Sequence, residues 1–169
     1  MSKTNECARK LAISHLNSLP DDILPSLGLR YLTRFYQFIY ASASEEIINY
    51  KSARCIITYR ADSFWRRVII KTFPSFIMAM LPKIFEKQFR NCLWSNKKHP
   101  NPSPQIAFMF STKKGKGHGS ELLRRCNLSP LYVKTIKGGR AEQFYKKNGF
   151  NEYEVFEYAK RTYAMLVKN

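Results

Sequence analysis

The sequence predicts an α/β or α+β fold, with helices packed on a mixed β-sheet. Three observations predict it. The second half of the chain alternates β-branched or aromatic runs with helix-spaced stretches, in the order strand, glycine turn, helix, strand, helix, strand, strand. The first half is mostly helical in its apolar spacing, with one strand-like run. The chain also has 169 residues, 44% hydrophobic and 14% aromatic, enough for a core without disulfide or metal staples.

Taken in order, "NECARKLAISHLNSLP" spaces Leu11, Ile13, Leu16 and Leu19 as a helix that Pro20 stops. "SLPDDILPSLG" is turn-rich; Asp21 and Asp22 can cap a short helical turn that Gly28 ends. "LRYLTRFYQFIYAS" sets Leu29, Leu32, Phe35, Tyr36 and Ile39 on one helical face, and "SARCIITYR" reads as a strand. Residues 63–98 form an apolar, basic insert whose one acid is Glu86. Pro74 and Pro82 are expected to break it into about three helical pieces. "HPNPSP" reads as an extended linker, and "QIAFMFS" as a buried strand. A glycine stretch then leads into a short helix ending near Cys126. "SPLYVKT" is a strand, "RAEQFYKKNGF" a helix ending at Gly149, and "NEYEVFEYAKRTYAMLVK" two closing strands. No internal repeat divides the chain, so residues 1–169 read as a single domain, with its insert at about 63–98 and a binding core at about 105–150.

The charge is the strongest bulk signal. Twenty-nine Lys and Arg against 12 Asp and Glu give a formal +17, a field that draws polyanions, acidic lipid or phosphorylated small molecules. No nucleic-acid motif accompanies it, so nucleic acid is not the expected partner. Cys7, Cys55, Cys92 and Cys126 show no paired metal-ligand spacing, so no metal is expected and buried free thiols in a reducing compartment are. The start of the sequence lacks a secretory h-region, and no stretch is apolar for long enough to cross a bilayer. The expected location is the cytoplasm, free or peripheral to the inner face of the membrane.

The stretch "KKGKGHGSELL" carries the chemistry. Glycines between a strand and a helix expose backbone N–H groups and let an anion approach closely, and the helix N-terminus adds positive potential. A solvated basic turn would look the same taken alone. The stretch is neither a Walker A loop, which needs G-x-x-x-x-G-K-[ST], nor the dinucleotide fingerprint G-x-G-x-x-G.

Lys114-Gly115-Lys116-Gly117-His118-Gly119 resembles the [Arg/Gln]-x-x-Gly-x-[Gly/Ala] pyrophosphate loop of the GNAT acetyltransferase superfamily. The preceding "IAFMF" and the downstream "AEQFYKKNGF" resemble that superfamily's central strand and its "A-x-x-F-Y-x-x-x-G-F" helix, in the same order. The N-terminal "HLNSLPDDILPSLGLRYLTRFY" is more loosely similar to a bacterial subgroup. Lys114 stands where arginine or glutamine is usual. Gly138 stands where an asparagine often bonds the cofactor.

The resemblance implies a GNAT fold, a twisted mixed sheet that splays beside the glycine-loop strand. It implies acetyl-CoA as co-substrate and a small-molecule amine as acceptor. Lys114, Gly115, Lys116, Gly117, His118, Gly119 and Ser120 would hold the diphosphate. Backbone groups of Phe108, Met109 and Phe110 would hold the pantetheine arm, with an N–H near Met109 on the thioester carbonyl. Tyr145 would be the general acid at the sulfur; the plain alternative is a core aromatic. For His118 a solvated loop position is the plainer reading. No general base is identified: Gln105 is not basic, and His15, Asp21 and Asp22 are equally compatible with caps or surface residues. The insert is either a helical cap or a contact with an anionic membrane anchored by Trp65 and Trp94, or it reads an anionic acceptor such as an amino sugar nucleotide. A non-catalytic acetyl-CoA-binding member and a basic polyanion- or membrane-binding protein are the alternatives, and a homodimer stays open.

Overall fold

The N-terminal segments are helical because their apolar residues recur at helical spacing. In the computed structural model, which describes residues 3–20, 22–83, 86 and 100–169, α1 spans Lys3–Ser18 and α3 spans Leu29–Ala41. Between them lies the short α2, Ile23–Ser26. Asp22 caps it, its Oδ1 accepting from the Ile23 N–H at 2.8 Å. Asp22 is thus the cap its residue type predicts; Asp21 lies outside the described residues.

Among the described residues six strands form one sheet in the order β1-β2-β3-β4-β6-β5. They are β1 (Glu45–Tyr50), β2 (Ala53–Thr58), β3 (Gln105–Ser111), β4 (Leu131–Ile136), β5 (Asn151–Tyr158) and β6 (Arg161–Lys168). Only β3 and β4 run parallel; the other pairs are antiparallel. The remaining helices are α4 (Phe64–Met80), α5 (His118–Arg125) and α6 (Arg140–Lys147).

Alternating side chains divide the core between the two faces of the sheet. On β2, Ile56 enters a cluster with Leu32, Phe35, Tyr36 and Ile39 of α3 and Ala8 and Leu11 of α1. Its neighbours Cys55 and Ile57 enter the opposite cluster, with Leu122 and Leu123 of α5 and Tyr145 of α6. Phe35 is wholly buried, a contribution of about 2–3 kcal/mol for such a side chain.

Three expectations change. β1 is a strand that the sequence pattern does not predict; "EEIINY" pairs with β2 through a tight turn at Lys51-Ser52, with Lys51 at φ 48°. Pro74 does not break the insert: α4 runs through it to Met80, and Pro82 sits in the 3-10 turn Leu81–Lys83 that follows. Pro74 is exposed, as is Ile70, whose carbonyl loses its helical partner, so water can take that bond. Cys7 is exposed on α1, whereas Cys55 and Cys126 are the buried free thiols expected. Trp94 and Cys92, with the rest of the insert beyond residue 86, lie outside the described residues.

Candidate active site

The sheet opens at its one parallel joint. β3 and β4 pair only at Gln105 with Tyr132 and Ile106 with Val133. Beyond Ile106, β3 continues to Ser111 bound to β2 alone, so the edge from Ala107 to Ser111 that faces β4 is open. A bulge marks the same place. Ile56 pairs with Phe108 and Ile57 with Ile106, which leaves Ala107 without a partner in the register. Its effect shows in the packing: Ala107 and Phe108, consecutive in sequence, both face the α1–α3 cluster, and Met109 returns to the α5 side. Phe108, Met109 and Phe110 thus stand on the strand whose polar edge is free to pair with an extended ligand.

The glycine turn begins where that edge ends. Gly115 and Gly117 have φ of +74° and +70°, which a residue with a Cβ adopts only with strain. Gly117 is the N-cap of α5 and offers no side chain to the helix. The first return bond of α5 runs from the Glu121 N–H to the Gly117 carbonyl, so the amides of His118, Gly119 and Ser120 have no helical acceptor. Lys113, Lys114 and Lys116 are exposed around them. Gly119 packs tightly: a Cβ there would lie 3.2 Å from both Met109 Cε and Phe144 Cζ. The turn is held from behind by the β1–β2 hairpin, where Ser52 Oγ lies 2.6 Å from His118 Nδ1 and 2.9 Å from Ser111 Oγ. Arg125 lies over the Tyr50 ring at 4.3 Å. His118 is therefore a half-buried helix residue tied to Ser52, not a solvated loop histidine. Two open clefts flank the turn. One, of about 400 Å³, is lined by Lys51, Arg54, Lys113 and His118; the other, of about 340 Å³, lies between Ser120 and Arg124 of α5 and Asn148 after α6.

Tyr145 stands on the α5 side of the sheet. Its ring is buried against Phe144 and Phe150, with centroids 5.3 Å away in each case, and it shares a cluster with Ile106 and Val133, the last paired residues before the splay. Its hydroxyl has no hydrogen-bond partner among the described residues. Burial, with a smaller contribution from Cys55, pushes the phenol well above its ordinary pKa, so it holds its proton.

His15 is on the other face and is fully buried. It stacks on Phe110 at 4.6 Å and 9°, and its Nδ1 lies 2.7 Å from the Tyr36 hydroxyl. Its Nε2 has no partner among the described residues. Burial pulls its pKa down to about 4, so the ring is neutral. Nothing brings His15 or Asp22 to the Tyr145 side of the sheet.

The sequence reading missed Glu45. It is buried at the start of β1, bound by Arg67 of α4 and by the Thr58 hydroxyl, which donates at 3.1 Å; its Oε2 has no partner. Glu45, Thr58 and Gln105 are register neighbours across β1, β2 and β3, which places this carboxylate in the row where the splay begins. Its partner Arg67 lies 22 positions away in sequence, so no local motif points to it.

The fold is GNAT-like. Along the whole of this chain and 97% of the other, it superposes on a crystal structure described as an acetyltransferase, with a TM-score of 0.61 at 15% identity. An N-acetyltransferase from Staphylococcus aureus Mu50 superposes over 96% of each chain, with a TM-score of 0.58 at 14% identity. No family model matches the sequence, and no curated protein does. The GNAT-like topology therefore rests on shape, at an identity where shape alone is informative. Among the described residues no group of His, Cys, Asp or Glu is placed to hold a metal, and no helix is long and apolar enough to cross a membrane.

Proposed function

We propose that the protein transfers an acetyl group from acetyl-CoA to the primary amine of a small molecule, an amino sugar or another anionic or membrane-associated precursor. The observation that carries this reading is the conjunction at β3: an open polar edge beyond Ile106 ends in a turn whose helix leaves three amides free. The residues fit the diphosphate of a CoA thioester. The amides of His118, Gly119 and Ser120 would receive its oxygens, and Lys114 and Lys116 would neutralise its charge.

Acetyl-CoA would supply the activated acyl group. The chain's part is to hold and orient. Backbone groups of Phe108, Met109 and Phe110 would pair with the extended arm along the open edge, and an N–H near Met109 would receive the charge that develops on the acyl oxygen. Tyr145, kept protonated by burial, would give its proton to the departing sulfur and regain one through water. The acceptor nitrogen would have to be neutral to attack, and water would take its proton. His15 is sealed from the surface, Asp22 caps α2, and Glu45 is held in an ion pair with Arg67. The net charge of +17 favours an acceptor that carries negative charge.

The test is a turnover screen with acetyl-CoA against amino sugars, polyamines, aminoglycosides and peptide N-termini, read as release of free CoA thiol. Acceptor-dependent release in at least one class is expected. CoA binding without release across the panel would leave a non-catalytic binding protein, and no binding would remove the reading.

A further inference from the structure

Helix α4 is apolar on both sides, and among the described residues only one side is packed against the core. Phe64, Val68, Thr72 and Met80 are buried against the α1–α3 core. On the opposite side Ile70, Phe73, Ile77 and Met78, continued by Leu81, recur at helical spacing and are between 41% and 71% exposed. A helix that is hydrophobic all round normally lies buried on all sides. An unbroken exposed stripe of this length marks a contact surface.

The charges bordering the stripe have one sign. Residues 63–83 contain no Asp or Glu. Arg66 and Lys71 are exposed beside the stripe and form no ion pair among the described residues. A second copy of the chain would bring these cations, and another net +17, against the same cations. An anionic surface would meet them with opposite charge.

We propose that α4 is a docking helix for an anionic lipid bilayer. Ile70, Phe73, Ile77, Met78 and Leu81 enter the boundary between headgroups and acyl chains, and Arg66 and Lys71 stay at the level of the acidic headgroups. This surface is distinct from the glycine turn, and its test does not depend on acetyl transfer. It has a consequence for the site. Trp65, in the first turn of α4, meets the Phe108 ring edge-on at 5.9 Å, so docking holds the α1–α3 side of β3 near the lipid surface.

The experiment is co-sedimentation of the full chain with vesicles of phosphatidylcholine alone or of phosphatidylcholine with phosphatidylglycerol, at low and high salt. Three variants accompany it: I70S/F73S/I77S, R66E/K71E, and a control, Y153S/V155S, which removes exposed apolar side chains from β5. All the altered residues are exposed, and circular dichroism checks the fold; the charge-reversal variant decides the matter if the triple serine variant does not fold. The wild type and the control are expected to partition onto the acidic vesicles about tenfold more than onto the neutral ones, and the first two variants to lose about tenfold. Four results would overturn the proposal: no binding by the wild type, equal binding to both kinds of vesicle, wild-type binding by both site variants, or a light-scattering dimer that the triple serine variant abolishes.

Discussion

The two faces of β3 carry different kinds of polar chemistry. Towards α5, polar groups are left open: three helix amides and the free edge of β3, with the buried Tyr145 packed beside the last paired residues before the splay. On the α1–α3 side they are sealed in. His15 is wedged between Phe110 and Tyr36, and Glu45 lies under Arg67, each with one atom lacking a partner. The bulge at Ala107 separates the two regimes, because it turns two successive residues to the sealed side. The difference teaches that the open face offers polar groups to a ligand, as the proposed function requires, and that the sealed face sets stability and its response to pH.

The largest effect is expected on the open face. On the proposed reading, Gly117→Glu would place a carboxylate beside the diphosphate; at about 4 Å and an effective dielectric near 20 the repulsion would be about 4 kcal/mol, about a thousandfold in CoA affinity by calorimetry. Gly117→Ala, which adds only the strain of a positive φ, should cost far less, about 1 kcal/mol. Equal losses in the two would mean that backbone shape, and not an anion, defines the turn.

The sealed face should answer in stability. Burial lowers the His15 pKa from the ordinary 6.5 to about 4. Below about pH 6.5 the unfolded chain takes up a proton that the folded chain refuses, so stability is full above that pH and falls as pH drops towards 4. The loss reaches about 3 kcal/mol, read as the difference in urea unfolding between about pH 7 and about pH 4. His15→Gln should flatten the dependence by that amount; an unchanged slope would mean that His15 is not held neutral by the fold.

Glu45→Gln should cost about 2 kcal/mol in the same assay, because it leaves Arg67 without its carboxylate in a site that is mostly buried. The glutamine amide keeps an acceptor for Thr58. If turnover fell far more than stability, Glu45 would belong to the binding machinery and the division between the faces would fail.

The smallest effect is expected at Tyr145. The phenylalanine variant keeps the ring packing and loses the proton donor, and should slow turnover about tenfold while leaving CoA affinity unchanged. An unaffected rate would make it the core aromatic that its contacts with Phe144 and Phe150 also describe.

What the sequence revealed follows the range of the forces involved. β3, the glycine turn, α5 and α6 are specified by neighbours within a few positions, and their residue types could be read directly. β1 could not, because its first residue is a carboxylate whose burial depends on an arginine on α4, far along the chain. Pro74 predicts a break in α4; only its exposed place on the helix shows that water can replace the missing bond. The splay was legible as a resemblance alone. The bulge that accompanies it was not, since nothing about "QIAFMFS" marks Ala107 as the residue left out of register.

The central claim is that free amides at the start of α5 grip the diphosphate of a CoA thioester. A crystal structure of the protein grown with CoA tests it most directly. The account predicts diphosphate oxygens within hydrogen-bond distance of the His118, Gly119 and Ser120 amides, with the pantetheine arm along the open edge of β3. A diphosphate bound elsewhere, with that turn in contact with solvent alone, would contradict it.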